Sequence, residues 1–357
     1  MYTADEINII ALSGINQLTY PMKRTLLEDF SSAEPDFAKA EKSLIKSLSG
    51  GVYNKVKKLF SSSDYRRNVL EELEEKKITC VTYYSKDYPP LLKEIPSPPI
   101  VLYCKGDISL LKSDCFTVVG SRRTTPKALS DCAKISGELS HVFTVVTGIA
   151  DGADSAAIKG ALEANGKVIS VIANGPDIIY PRTCAQLYER VENEGLLVSE
   201  YPPETLPKPF NFPFRNRILA GLSRGTLVVS AGEKSGALIT ADYSFEYGRD
   251  VFAFPYSVGV PSGAGCNSLI KKGAYLTENL LDILKEYGLD FIKPGEGELL
   301  TDEELLIYTA VKRLGDAFLP DVAREVKKLP HEIIPVICAL QIKKKVVSLG
   351  GNRYGAL

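Results

Sequence analysis

The sequence predicts an α/β protein: a doubly wound, mostly parallel sheet, preceded by a small helical domain and followed by a winged-helix-like domain. Three observations predict it. From Phe116 to Phe254, short and continuously apolar stretches alternate with helical ones, the pattern of a parallel sheet covered on both faces. Each apolar stretch runs into a loop of Gly, Ser, Asn or Arg, and such sheets bind ligands beyond the carboxyl ends of their strands. The flanks carry helical spacing instead, and the chain of 357 residues exceeds one typical core. The expected domains are residues 1–75, 76–290 and 301–357.

Composition narrows the class. Hydrophobic residues make up 45% and charged residues 24% of the chain, as in an ordinary globular protein. No run of 18 apolar residues exists, so no membrane insertion is expected. Met1-Tyr2-Thr3-Ala4-Asp5-Glu6 lacks a basic start followed by an apolar block, which predicts a cytoplasmic protein. The seven cysteines are odd in number, widely spaced and free of C-x-x-C, and read as reduced, mostly buried thiols. Two histidines, His141 and His331, stand outside any ligand-like cluster, so neither a metal site nor a catalytic triad is expected. With a net charge of -1, a nucleic-acid site has to be a local patch.

In chain order, Ile7, Ile10, Ala11, then Leu26, Leu27, Phe30, then Leu44, Leu48, Val52, Val56 and Leu59 recur at helical spacing. Leu70, Leu73 and the charges from Glu71 to Lys77 add one more amphipathic helix. The Gly-hydrophobic-Gly hairpin of helical DNA-backbone-binding modules is absent around Ser13-Gly14-Ile15-Asn16, so this block reads as a cap on the next domain. Cys80–Tyr84 and Ile100–Cys104 read as strands, with Tyr88-Pro89-Pro90 and Pro96-Ser97-Pro98-Pro99 punctuating the connection. The strands expected next are 116–119, 143–146, 168–172, 196–199, 226–229 and 251–254. Residues 288–300 read as a linker. The last segment pairs a hairpin (345–349, Gly350-Gly351, 352–354) with three helices, hence the winged-helix likeness. Its nine Lys/Arg and seven Asp/Glu nearly balance. Its would-be reading helix, residues 331–338, is apolar and lacks Arg, Asn and Gln for base edges, which favours protein contact or packing over DNA reading.

The loops at the strand ends carry the chemistry. Gly120-Ser121-Arg122 gives a tight turn, a hydroxyl and a guanidinium. Gly148 and Gly152 let backbone approach a phosphate. Arg182 and Lys208 add cations. Phe210-Asn211-Phe212-Pro213-Phe214-Arg215-Asn216-Arg217 predicts a helix opened by Pro213, with Arg215, Asn216 and Arg217 at its positive end. Phe210 and Phe212, two apart, would point the same way on an extended backbone. Rings beside cations suit a single nucleic-acid strand. Ser235 and Gly236 open a further helix, with Thr240 one turn on. What is missing also counts: no P-loop and no G-x-G-x-x-G opens a helix here. Asp151 and Asp154, three apart, read as acids at a helix start rather than a catalytic pair.

The chain resembles the DprA family, also called Smf, the DNA-processing proteins of natural transformation. The likeness rests on Asp87-Tyr88-Pro89-Pro90-Leu91-Leu92 through Pro98 to Gly106, then Gly120-Ser121-Arg122, Thr147 to Asp154, Phe212 to Ser223, Ser235 to Ala241, Gly248 to Ala253 and Gly265 to Ile270, in the family's order. It covers about residues 80–285. The resemblance implies an extended Rossmann-like domain that binds single-stranded DNA, dimerises, and hands the strand to the RecA recombinase. No catalysis, cofactor or metal is implied. By position, Arg122, Arg182, Lys208, Arg215 and Arg217 would hold phosphates, and Phe210 or Phe212 would stack a base. The self-association face would include Ile270 and Leu276. One departure is Ile158, where the family usually has His. The rival reading is a Rossmann-like nucleotide-processing enzyme of the phosphoribohydrolase kind. It needs a Pro-Gly-Gly-x-Gly-Thr loop, and Ser230-Ala231-Gly232-Glu233-Lys234-Ser235-Gly236 does not supply one. A ligand-sensing winged-helix transcription factor lacks its reading helix.

Overall fold

A computed structural model describes residues 2–15, 18, 22, 50–61, 63–289, 300–343 and 345–356. The chain forms two compact units, Met1–Gly288 and Leu289–Leu357. The expected helical positions Leu26, Leu27, Phe30, Leu44 and Leu48 lie outside the described residues, as does most of the expected linker 288–300.

The first unit carries a nine-stranded sheet in the order β1-β2-β6-β5-β4-β3-β7-β8-β9. These strands are β1 (Thr79–Thr82), β2 (Val101–Gly106), β3 (Cys115–Gly120), β4 (Thr144–Thr147), β5 (Val168–Ile172), β6 (Leu196–Ser199), β7 (Gly225–Ser230), β8 (Asp250–Ala253) and β9 (Tyr275–Leu276). From β6 to β9 every pair is parallel, whereas β2 runs antiparallel to both β1 and β6. The fold is therefore α/β with an extended Rossmann-like, mostly parallel sheet. The central strands are buried along their length except at Gly120, the last residue of β3, which is why they read as apolar runs without alternation.

Strand order fixes where a ligand can sit. From β3 the chain winds outward through β4, β5 and β6, then returns to β7 and winds the other way through β8 and β9. The reversal lies between β3 and β7, where the connections leaving the carboxyl ends diverge to leave a crevice. The helices flanking it start with clear caps. Thr125 accepts from the Ala128 amide at 3.2 Å ahead of Pro126, and Ser235 caps the helix Gly236–Glu246.

The described N-terminal helices, Ala4–Ser13, Gly50–Ser61 and Ser63–Glu75, share one apolar core with β1 and β2, including Ile10, Leu12, Leu73, Val101 and Tyr103. Six of the cysteines are buried free thiols, and Cys338 is exposed. Among the described residues no helix is long and apolar enough to cross a membrane. The second unit holds helices Asp302–Leu314, Leu319–Glu325 and Pro330–Ile342 with a three-stranded sheet, β10 (Ala317–Phe318), β11 (Val346–Gly350) and β12 (Arg353–Ala356), ordered β10-β12-β11. Gly351 and Asn352 both take positive φ, +58° and +59°, so the expected hairpin turns through two left-handed residues.

Candidate nucleic-acid interface

A cleft of about 760 Å³ opens at the reversal point, between the loops after β3 and β7 and the helix Asn211–Leu222. Nine of the residues predicted from sequence line it: Gly120, Ser121, Arg122, Phe212, Arg215, Asn216, Ser235, Gly236 and Thr240. Gly148, Gly152, Arg182, Lys208, Phe210 and Arg217 are not among the lining residues.

The loop after β3 is built by close approach. A Cβ on Gly120 would stand 2.7 Å from Ala153 Cβ and 2.8 Å from Val229 Cγ2, so only glycine lets the chain leave the sheet here. Ser121 then ties this loop to the end of β7: its amide donates to Ser230 O at 2.9 Å, and its hydroxyl lies 3.4 Å from Ser235 Oγ. Asn216 Nδ2 donates to Gly236 O at 3.1 Å, bracing the helix against the loop after β7. Arg122 is exposed, and its guanidinium lies 5.2 Å from the centroid of the Phe212 ring. Phe212 in turn meets Tyr180 at 5.8 Å. The result is a cation over an aromatic shelf at the mouth of the cleft.

The helix itself departs from the sequence expectation. It begins at Asn211, not at Pro213, because the Asn211 amide already closes a turn onto Lys208 O at 2.9 Å. Phe210 precedes it in αR geometry and Phe212 sits in its first turn, so the two rings do not share a direction. Phe210 is 69% exposed beneath Lys208 Nζ, which is 5.8 Å away. Asn211 Nδ2 donates to Ala173 O at 2.9 Å at the end of β5.

Arg215 and Arg217 are not the exposed cations expected. They are 5% and 2% exposed. Arg215 donates to Val171 O, and burial lowers its pKa while the neighbouring Asp154 opposes that drop. Arg217 pairs with Glu200, and its guanidinium lies 4.2 Å from the Phe214 ring centroid. The glycines assigned to phosphate approach are also filled by protein. A Cβ on Gly148 would collide with Asp154 Oδ2 and lie 2.8 Å from an Arg215 Nη. Gly152, at φ +88°, faces the Ser121 and Arg122 carbonyls. Arg182 is exposed in the turn Arg182–Cys184.

Sequence reasoning missed three lining residues that matter: Arg123, Lys234 and Asp154. Lys234 had a signal, standing directly before Ser235 in the same strand-end loop. Two of the lining residues, Arg215 and Thr240, carry a buried donor without a partner among the described residues, Arg215 Nε and the Thr240 hydroxyl. Such groups are costly to leave unmet. Burial pushes the Asp154 carboxyl up from its ordinary 3.8 to about 6, against the pull of Arg215 and Arg122. The folded state thus binds a proton that the unfolded state releases, and Asp154 favours folding less as pH rises through that window. Among the described residues no cluster of His, Cys, Asp and Glu could hold a metal ion. Arg122, Arg123, Lys234 and Arg215 outnumber Asp154 in the lining, so the cleft suits an anion.

The sequence profile of the DNA recombination-mediator protein A family matches residues 79–288. Protein Smf of Synechocystis is 46% identical over 219 residues, 59% of this chain and 55% of that one, so the chain spans about half the length of that relative. The DNA processing protein DprA of Streptococcus pneumoniae is 42% identical over 200 residues, 56% of this chain and 71% of that one. The X-ray structure of the S. pneumoniae protein superposes with a TM-score of 0.70 at 33% identity, covering 82% of this chain and all of that one. DNA processing protein A from Helicobacter pylori, known for its single-stranded DNA binding mode, gives a TM-score of 0.55 at 27% identity over 61% of this chain and 99% of that one. With that match spanning the whole sheet and the cleft it frames, the chain belongs to the DNA recombination-mediator protein A family.

Proposed function

We propose that this protein binds single-stranded DNA in the cleft at the β3/β7 reversal. The observation that carries the proposal is the convergence of exposed Arg122, Arg123 and Lys234 with the Phe212 shelf and Arg215 in the lining of one cleft. Cations would pair with phosphates and the ring would stack a base. The H. pylori relative, described as a single-stranded DNA binder, supports the reading. Binding needs no ATP, cofactor or metal, and the protein acts as a binder rather than an enzyme. By family resemblance it works in the cytoplasm as a homodimer that loads RecA during DNA uptake, with residues 1–75, 76–290 and 301–357 as its three domains.

The test is oligonucleotide binding by purified protein without nucleotide and with chelator. Single strands should bind, and affinity should fall steeply as salt rises, because each neutralised phosphate releases counterions. A requirement for ATP or Mg²⁺, or salt-insensitive binding, contradicts the proposal.

The homodimer is tested at β9. This strand closes one end of the sheet, and Tyr275 and Leu276 on it are 40% and 50% exposed. An open strand edge with apolar side chains is a pairing surface. Ile270 is partly buried against the core, so a charge there would disturb folding, and Leu276 is the cleaner probe. Leu276→Arg should shift the light-scattering mass toward monomer without lowering the melting temperature. A full dimer in that variant removes β9 from the interface.

A further inference from the structure

Asp154 is the one acid in the lining of a cleft that otherwise presents cations. It stands in the first turn of the helix Ala153–Glu163. Its carboxylate and the Arg215 guanidinium converge on the same face of Gly148. The charged groups around it are Arg215, from the helix Asn211–Leu222, and Arg122, from the loop after β3. The thiols of Cys132, from the helix Pro126–Leu139, and Cys184, from the turn Arg182–Cys184, also feel it. Both thiols are pushed upward by burial, Cys132 to about 12, and stay neutral near pH 7. Asp151, the nearest other acid in sequence, is exposed and accepts from Thr183 Oγ1 at 2.9 Å. A phosphate drawn to Arg122 and Arg215 would therefore enter beside the Asp154 carboxylate and compete with it for the same two guanidiniums.

We propose that Asp154 sets the affinity of the cleft by excluding anions when ionised, so that binding of a nucleic-acid strand takes up one proton at this carboxyl. The inference rests on the cleft being the strand-binding site. The proton leaves a buffer acid in solvent, whose conjugate base stays in solution, and joins a carboxylate oxygen. Like charges at close range cannot both persist in a low-dielectric site, and the carboxylate is the partner able to discharge near neutral pH. The raised Asp154 pKa, about 6 without ligand, means that strand binding needs only a modest further push.

The decisive measurement is calorimetric titration of the wild-type protein with a short single-stranded oligonucleotide at pH 7.0, in buffers of different ionisation enthalpy. Uptake approaching one proton per site is expected, as is affinity that falls by up to about tenfold per pH unit above pH 6. Asp154→Asn should abolish the uptake, flatten the profile, and bind roughly tenfold more tightly at pH 8. Its melting temperature is measured at the same pH, because the buried Arg215 loses the carboxylate beside it, and affinities are compared on folded protein. No uptake by wild type, or the same uptake in a folded Asp154→Asn, overturns the inference. Arg122→Ala separates this failure from that of the underlying reading. If it weakens binding while wild type takes up no proton, the cleft is the strand site and Asp154 is not its regulator; if it leaves binding unchanged, the cleft itself is the wrong site.

Discussion

Arg217→Ala is expected to destabilise the sheet unit by about 3–5 kcal/mol, the cost typical of breaking one side of a buried ion pair. The guanidinium is almost fully buried, pairs with Glu200 and covers the Phe214 ring. Its removal leaves the partly buried Glu200 carboxylate without that partner and opens a void the size of a long side chain. The melting temperature should drop on the order of 10 °C. Changing Glu200→Gln in the same protein should recover part of the loss, since a neutral amide is cheaper to leave unpaired than a charge. Folded Arg217→Ala should still bind an oligonucleotide within about threefold of wild type, because Arg217 does not line the cleft. A variant that melts normally and binds weakly would reverse the assignment and return Arg217 to the phosphate-holding role its motif suggests.

The two arginines of the Arg-Asn-Arg motif show where sequence reading succeeds and where it stops. The strands were legible because buried parallel strands are apolar throughout. The strand-end loops were legible because Gly, Ser and Arg cluster there, and nine of the chosen residues do meet in one cleft. Burial of Arg215 was partly legible too. Ile218 is a core position, and stepping back three residues along the helix reaches Arg215, and four more Asn211, both buried. Reading Pro213 as the helix start hid that register. The helix starts at Asn211 because Lys208 O receives its amide, a backbone contact that leaves no mark in residue types. Phe210 and Phe212 were misjudged for the same reason: two-residue spacing shares a face only on an extended chain. Asp154 was legible as an acid at a helix start, but its place in the lining depends on the β3 and β7 ends being neighbours. That adjacency joins residues far apart in the chain, and no local pattern encodes it.

Arg122→Ala is the substitution expected to weaken DNA binding most while sparing the fold. The residue is exposed at the cleft, with the guanidinium 5.2 Å from the centroid of the Phe212 ring. Because Arg122 is exposed, losing that contact should move the melting temperature by no more than about 2 °C. Charge-assisted hydrogen bonds to a phosphate contribute about 1.5–3 kcal/mol, so affinity for a single strand should fall roughly tenfold to a hundredfold. The salt dependence should also become shallower, since one fewer phosphate is neutralised. Arg122→Lys should fall between the two, keeping the charge but losing the planar fork. Phe212→Leu separates the two functions of the shelf: if the ring stacks a base, binding weakens with the salt slope unchanged. Melting temperature, affinity and salt slope measured on the same three samples decide the matter. Unaltered affinity in a folded Arg122→Ala protein would show that no phosphate is held at the end of β3, and the strand site would have to be sought outside this cleft.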